Sequence, residues 1–296
     1  MSNSKSIYCL ALHGGAGAVA GRDYAVTEQH MRELASDCDS RLARGQSALD
    51  VVEHAVYELE TSGLYVAGRG SAPNTAGHVE LDASIMDGKT RRAGAVAALR
   101  DFVSPVNVAR GVMEKTPHVM LAGLGALEFG RKQGFEEVAD PAAYYVLPVG
   151  VNSDDILDIA HGTVGAVARD KSGGLAAATS TGGTFGKLHG RIGDTPMIGP
   201  GTWADDDIAV SCTGTGEHII RAGGAAAIAF RYRSGVALNI AVKEMLDEVK
   251  RLGGDAGVIA LTRSGEIAMP YNSEGMKRAS VSNDSVESTY TIATFA

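Results

Sequence analysis

His161-Gly162-Thr163-Val164-Gly165-Ala166-Val167-Ala168-Arg169-Asp170-Lys171-Ser172-Gly173-Gly174-Leu175-Ala176-Ala177-Ala178-Thr179-Ser180-Thr181-Gly182-Gly183 holds two short runs of small and branched residues around a Lys-Ser-Gly-Gly turn. Thr163 and Thr181 are equidistant from Ser172, so a hairpin centred there sets them directly opposite each other. Opposed residues project to the same face with Cβ atoms ~4.5–5.5 Å apart, close enough for two hydroxyls to approach hydrogen-bonding distance. A single β-bulge would break that register. The strands are built of Ala, Gly and Val, so nothing bulky fills the space beside the threonines, and Gly182-Gly183 lets backbone come close to whatever occupies it. Threonine is also ordinary strand material, so a structural role stands beside the catalytic one.

Outward from this hairpin, Gly190-Arg191-Ile192-Gly193-Asp194-Thr195-Pro196 places a cation and a carboxylate three residues apart in a Gly/Pro-rich loop. A guanidinium grips a carboxylate bidentately and a carboxylate takes an ammonium, so the pair suits both charged ends of an α-amino acid. The plain alternative is a local Arg191-Asp194 surface ion pair, which contributes little. Ser211-Cys212-Thr213-Gly214-Thr215-Gly216-Glu217 joins an apolar strand to a helix. Backbone N–H groups freed by glycines at a helix start suit an oxyanion, with a hydroxyl as second donor. A tight turn with Thr215 as N-cap is the other reading, and neither excludes the other.

The rest of the chain sets bounds. Its 296 residues, 45% hydrophobic, suffice for a substantial core. No apolar run reaches the ~20 residues of a membrane helix, and Met1 to Lys5 lead into no secretory cleavage site, so a cytoplasmic location is expected. Cys9, Cys38 and Cys212 form no paired spacing, which argues against a disulfide framework or a zinc site on Cys pairs. A net charge of −8 without a Lys/Arg block disfavours nucleic acid. A small molecule or peptide is the expected substrate.

Periodicity predicts a buried strand over 7–12, helices over 27–43 and 47–60 with Ser47 as N-cap, and a hairpin from 79–86 and 93–99 about Asp87-Gly88-Lys89-Thr90. Helices follow over 106–114 and 120–133. The polar stretch 134–160, with Asp154, Asp155 and Asp158 near its end, reads as an exposed linker. Strands over 163–170 and 175–181, a loop through Ala204, a strand over 208–212, helices from Glu217 and Val236, and strands near 258–269 and 289–295 complete the pattern. The class is α/β (α+β), with sheets that are not all parallel and helices on their outer faces.

Gly162-Thr163-Val164-Gly165-Ala166-Val167, Ala178-Thr179-Ser180-Thr181-Gly182-Gly183, Gly190-Arg191-Ile192-Gly193-Asp194 and Cys212-Thr213-Gly214-Thr215-Gly216 recur in order with His13-Gly14-Gly15-Ala16-Gly17, Leu81 to Gly88 and Pro270 to Met276. Over nearly the whole chain this set resembles the plant-type (type III) asparaginase and isoaspartyl peptidase family of N-terminal-nucleophile (Ntn) hydrolases. The resemblance implies one domain, 1–296, folded as a four-layer αββα sandwich. It also implies self-cleavage between Gly162 and Thr163 into an α chain 1–162 and a β chain 163–296, and a dimer of αβ units. Thr163 is then the nucleophile with its own amine as base, Thr181 orients it, and Thr213 with the Gly214 N–H holds the oxyanion. Arg191 takes a substrate carboxylate, and Asp194 with the Gly216 carbonyl takes an ammonium.

No cofactor is implied for catalysis, but a structural sodium ion is, held by the backbone of Leu59, Glu60, Ser62, Tyr65, Ala67 and Arg69. Val66 departs from the family pattern, which usually has Asn there. A glycosylasparaginase-like activity is the nearest alternative, and His189-Gly190-Arg191 is at home there too. From other classes, Gly15-Ala16-Gly17-Ala18-Val19-Ala20 after a strand mimics a dinucleotide fingerprint, though Arg22, Asp23 and Tyr24 delay the helix. An uncleaved, non-catalytic binding protein of the same fold is the third reading.

Overall fold

The computed structural model describes residues 6–148, 162–284 and 289–295. The Asp154, Asp155 and Asp158 cluster of the expected linker, and His161, lie outside the described residues.

The expected hairpin is present in the expected register. β5 (Val164–Arg169) and β6 (Leu175–Thr181) are antiparallel, with Val164 opposite Ser180 and Arg169 opposite Leu175. Asp170 holds the turn: its carboxylate accepts the Ser172 N–H at 2.8 Å, the Ser172 hydroxyl at 2.6 Å and the Gly174 N–H at 3.0 Å. Its second oxygen accepts the Ala48 N–H at 3.0 Å, at the start of α2 (Ala48–Thr61). Ser47 caps that helix as the sequence predicts, accepting from the Asp50 N–H. One carboxylate therefore fixes both the hairpin turn and the helix packed across it.

β5 and β6 lie at the centre of an eight-stranded sheet. β1 (Cys9–His13), β11 (Arg278–Ser282) and β12 (Thr289–Ala293) flank β5, while β2 (Leu81–Asp87), β3 (Ala93–Leu99) and β4 (Met120–Ala122) flank β6. The pairings within it are antiparallel except β3 with β4. A second sheet has the order β10 (Ile267–Ala268), β9 (Ala256–Thr262), β8 (Ile208–Gly214), β7 (Thr202–Ala204). Helices α1 (Ala25–Ala43), α2 and α3 (Pro105–Lys115) pack on the large sheet. Beyond α4 (Gly123–Gln133) and the short α5 (Pro141–Tyr144), the helices α6 (Gly216–Ala222), α7 (Gly224–Arg233) and α8 (Leu238–Arg251) pack on the small sheet. The molecule is thus a mixed α/β fold of two facing sheets with helices on each. Among the described residues no helix is long and apolar enough to cross a membrane.

Strand alternation divides the core. Leu10, Leu12, Val164, Ala166, Ala176 and Ala178 face the α1–α3 side, and Cys9, Ala11, Val167, Leu175 and Ala177 face the second sheet. At one end the inter-sheet face changes character, because His13, Thr163, Thr179, Thr181, Asp82 and Ser84 occupy its alternating positions, all buried. Ser211 and Thr213 of β8 lie in the same buried region. Polar groups collect at one end of the inter-sheet layer and apolar groups fill the remainder.

Several elements differ from the periodicity reading. Residues 120–122 form a parallel edge strand on β3, and Gly123, at φ +53°, ends it and opens α4. The helix expected from Glu217 is two, divided at Gly223 and Gly224 with φ of +76° and +40°. The loop expected through Ala204 ends in β7, and 258–269 is two strands folded back on each other. β11 was not expected. The dinucleotide-like glycines follow a strand antiparallel to both neighbours, not the parallel strand of a βαβ unit.

Asp170→Ala leaves the N–H groups of Ser172, Gly174 and Ala48 without their acceptor. It is expected to cost about 3 kcal/mol, read as a lower denaturation midpoint in urea.

Candidate active site

The register delivers two hydroxyls. Thr163, just before β5, donates from Oγ1 to Thr181 Oγ1 at 3.1 Å, and both residues are buried. The Thr181 hydroxyl lies 3.4 Å from the Val66 carbonyl and accepts the Gly183 N–H at 3.0 Å. The Val66 carbonyl also accepts the Gly182 N–H at 2.9 Å. Val66 thereby supports Thr181 through its backbone, while its side chain covers Gly162, where an added Cβ would meet Val66 Cγ2 at 2.3 Å.

A cleft is lined by Thr163, Thr181, Gly183, Thr184, Arg191, Gly193, Asp194, Thr195 and Gly214. The sequence-predicted Thr163, Thr181, Arg191, Asp194 and Gly214 are therefore brought together. Gly216 opens α6 directly against them, for a Cβ there would lie 2.9 Å from Asp194 Oδ1 and 3.0 Å from Arg191 Nη2. Thr213 is fully buried one residue before Gly214, where Oγ1 accepts the Ala16 N–H at 3.4 Å. Thr215 occupies the N-cap position of α6 without a side-chain capping bond. A larger cavity of about 490 Å³ is lined by Ser71, His78, Arg100 and Tyr145 among others, but the paired hydroxyls and facing charges gather in the smaller cleft.

Arg191 and Asp194 do not form the local ion pair that is the plain alternative. Arg191 instead donates from Nε and Nη2 to the two oxygens of Glu217, each at 2.8 Å. That fork is a side-on bidentate pair, and Nη1 of the same guanidinium lies against Gly193. Asp194 is 3% exposed, and its Oδ2 has no hydrogen-bond partner among the described residues. Burial pushes its carboxyl up to about 7, against the smaller lowering effects of backbone hydrogen bonding and Arg191. An unpartnered buried carboxylate beside paired hydroxyls is an acceptor for a ligand cation.

Two residues of this region were not assigned roles from sequence. Glu217 follows directly on the Gly214-Thr215-Gly216 motif, and its acidic character at a helix start was the signal available. His13, quoted only as part of a glycine-rich run, is fully buried, with Nδ1 3.0 Å from the Thr163 carbonyl and Nε2 2.8 Å from Ser211 Oγ. Burial pushes its imidazolium down to about 3, so it is neutral at ordinary pH. Gly165 is required there, since a Cβ would lie 2.2 Å from Ser211 Oγ and 2.3 Å from His13 Nε2. Among the described residues no group of three or more His, Cys, Asp or Glu side chains is arranged to hold a metal ion.

The family model described as asparaginase matches residues 6–147 and 142–291. The chain is 44% identical over 294 residues to the isoaspartyl peptidase of Salmonella typhimurium, covering 91% of this chain and 94% of that protein. It is 40% identical over 293 residues to the isoaspartyl peptidase of Escherichia coli, covering 91% of each. With the probable isoaspartyl peptidase/L-asparaginase 2 of Arabidopsis thaliana it shares 38% identity over 319 residues, covering 94% of this chain and 96% of the relative.

Gly165→Ala is expected to displace His13 from the Thr163 carbonyl and to destabilise the fold by about 2 kcal/mol. Thermal unfolding beside the unaltered protein measures the loss.

Proposed function

This chain belongs to the isoaspartyl peptidase/L-asparaginase family of Ntn-hydrolases, and on that premise we propose that it hydrolyses β-aspartyl peptide bonds and the asparagine side-chain amide after cutting its own backbone before Thr163. The observation that carries the substrate assignment is the buried Asp194 with a free Oδ2, three residues from Arg191, in the cleft that holds Thr163 and Thr181. A carboxylate and a guanidinium so placed suit the α-ammonium and α-carboxylate of an aspartyl unit.

Cleavage comes first. The Thr163 hydroxyl attacks the Gly162 carbonyl, the amide nitrogen leaves as the new Thr163 amine, and the resulting ester is hydrolysed by water. The free amine then takes the proton of the Thr163 hydroxyl, which makes an otherwise poor nucleophile effective near neutral pH. Attack on the substrate side-chain amide expels ammonia or the amine of the following residue and leaves a β-aspartyl ester on Thr163. Water releases aspartate. Thr181 orients the Thr163 hydroxyl from 3.1 Å, and Thr213 with the Gly214 N–H receives the oxyanion. Arg191, braced by Glu217, binds the carboxylate, and Asp194 with the Gly216 carbonyl binds the ammonium. Loss of the substrate ammonium leaves Asp194 Oδ2 without a partner in a confined site, which disfavours aspartyl units with a blocked amine.

We read the stacked helices and sheets as the four-layer αββα sandwich of this hydrolase class, in one domain, assembling as a dimer of αβ units in the cytoplasm. The donors proposed for sodium are carbonyl oxygens, the donor type that suits a hard cation. The Leu59, Tyr65, Ala67 and Arg69 carbonyls each accept one hydrogen bond and keep a second lone pair. The Glu60 carbonyl lies where a Cβ on Gly68 would be 2.5 Å away. A bound ion would stiffen the segment from which Val66 supports Thr181.

Purified protein is expected to release aspartate from β-aspartyl dipeptides, and absence of that product alongside intact Thr163, Arg191 and Asp194 would overturn the assignment. Binding also carries a pH sign. Asp194 must be ionised to take an ammonium, and its pKa of about 7 means that lowering the pH protonates the empty site. The inhibition constant of product aspartate is expected to weaken about tenfold per pH unit below that value. Asp194→Asn removes this dependence and weakens binding at every pH.

A further inference from the structure

The segment from Thr181 to Arg191 joins the nucleophile's partner to the residue that takes the substrate carboxylate, and its last three residues before Arg191 are exposed. Leu188 is 72% exposed and the His189 side chain 62%. Gly186 and Gly190 have φ of +63° and +78°, with open space where a Cβ would be. Packing therefore does little to fix this stretch, and polar bonds take its place. Lys187, buried against Gly183, donates from Nζ to the Glu80 carbonyl at 2.8 Å, and its own carbonyl accepts the Thr75 N–H at 2.9 Å. At the far end the two oxygens of the Glu80 carboxylate share the Gly190 N–H, at 3.2 and 3.0 Å.

Glu80 lies just before β2, two residues ahead of Asp82, which pairs with Thr181. It is 2% exposed. Its Oε2 also accepts from Asn74 Nδ2 at 2.8 Å, and Oε1 lies 3.2 Å from His189 Nε2. Asn74 is held in turn, since its Oδ1 accepts the Ala76 and His78 N–H groups. Burial by itself raises the Glu80 pKa, but the Asn74 and Gly190 donors and the Lys187 ammonium outweigh it, so the carboxyl lies below its ordinary value and is ionised at neutral pH. A fixed, ionised carboxylate is a stronger anchor for a backbone N–H than a neutral acceptor is.

We propose that Glu80 is a positioning residue for Arg191, its side chain fixing through the Gly190 N–H the backbone from which the guanidinium reaches the substrate carboxylate. Glu217 braces the guanidinium itself, and Glu80 braces the main chain that carries it. The bond from Lys187 goes to the Glu80 carbonyl and survives a change of the Glu80 side chain, so the Gly183 end of the segment, with its bond to Thr181, keeps its place. Substrate binding is therefore what the side chain controls. The kinetic consequence rests on the function proposed above, whereas the tether itself does not. An effect of charge alone has the opposite sign, because neutralising an anion close to a site for a carboxylate strengthens binding.

Three variants of the full-length protein separate the two. Glu80→Gln keeps an amide oxygen for the Asn74 and Gly190 bonds that converge on Oε2, Glu80→Asp keeps the charge but falls one methylene short, and Glu80→Ala removes both. On a β-aspartyl dipeptide, with product aspartate as inhibitor, Glu80→Ala and Glu80→Asp are expected to raise KM and the inhibition constant about tenfold with kcat within about twofold of wild type, and Glu80→Gln to recover most of that loss. Amide hydrogen exchange, read by mass spectrometry on the peptide spanning 188–191, is expected to quicken in Glu80→Ala and Glu80→Asp and to match wild type in Glu80→Gln. Should Glu80→Ala not fold, Glu80→Asp carries the same comparison with Glu80→Gln. A KM and inhibition constant unmoved or lowered in Glu80→Asp overturn the proposal, as does a Glu80→Gln that loses as much as Glu80→Asp, or exchange unmoved in both shortened variants. A wild-type chain inactive on dipeptides, with exchange following the expected pattern, would instead remove the proposed function and support the tether.

Discussion

The antiparallel register of β5 and β6 is the constraint on which the site depends. With Val164 opposite Ser180, the preceding and following threonines fall opposite each other, and their hydroxyls meet at 3.1 Å. A shift of one residue would turn Thr181 toward the α1–α3 side, because side chains alternate faces along a strand. Asp170 guards against that shift by closing the turn with three hydrogen bonds and fastening it to α2 with a fourth. The paired hydroxyls are therefore a property of the hairpin turn as much as of the residues that carry them.

Placing polar side chains between two sheets costs packing and desolvation, which the fold offsets by satisfying most of them among themselves. Small residues make this possible. Ala11, Ala177, Gly165 and Ala209 let the sheets approach, so that Ser84, Thr179, Thr202 and Ser211 reach one another across the layer. Asp194 Oδ2 is left without a partner in the cleft, as are Asp82 Oδ2 and Thr195 Oγ1 nearby. Glu217 plays the complementary part. By engaging Arg191 from the side it holds the guanidinium in the cleft without closing Asp194 to a ligand.

What could be read in the sequence was local or symmetric. Ser47 as a cap, the β2–β3 hairpin and the Thr163–Thr181 pairing each follow from a few neighbouring residues whose spacing has one simple geometric solution. What could not be read depends on contacts across the chain. β4 is three residues of edge strand that pairs, among the described residues, with β3 alone, and its apolar residues merge with the helix that follows. β11 pairs with β1 from the far end of the chain. His13 meets Thr163 and Ser211 from 150 and 198 residues away, so no periodicity points to it. The Arg191 and Asp194 pair was legible as charge, but its geometry was not, because the partner that draws Arg191 aside is on α6.

The proposed self-cleavage is the step that would give Thr163 a free amine, and intact mass spectrometry of the purified protein after extended incubation, beside Thr163→Ala, tests it most directly. Two fragments are expected, the second beginning at Thr163, with the variant remaining whole. A wild-type chain that stays intact under all conditions, or a variant that is cut at the same bond, would contradict the account.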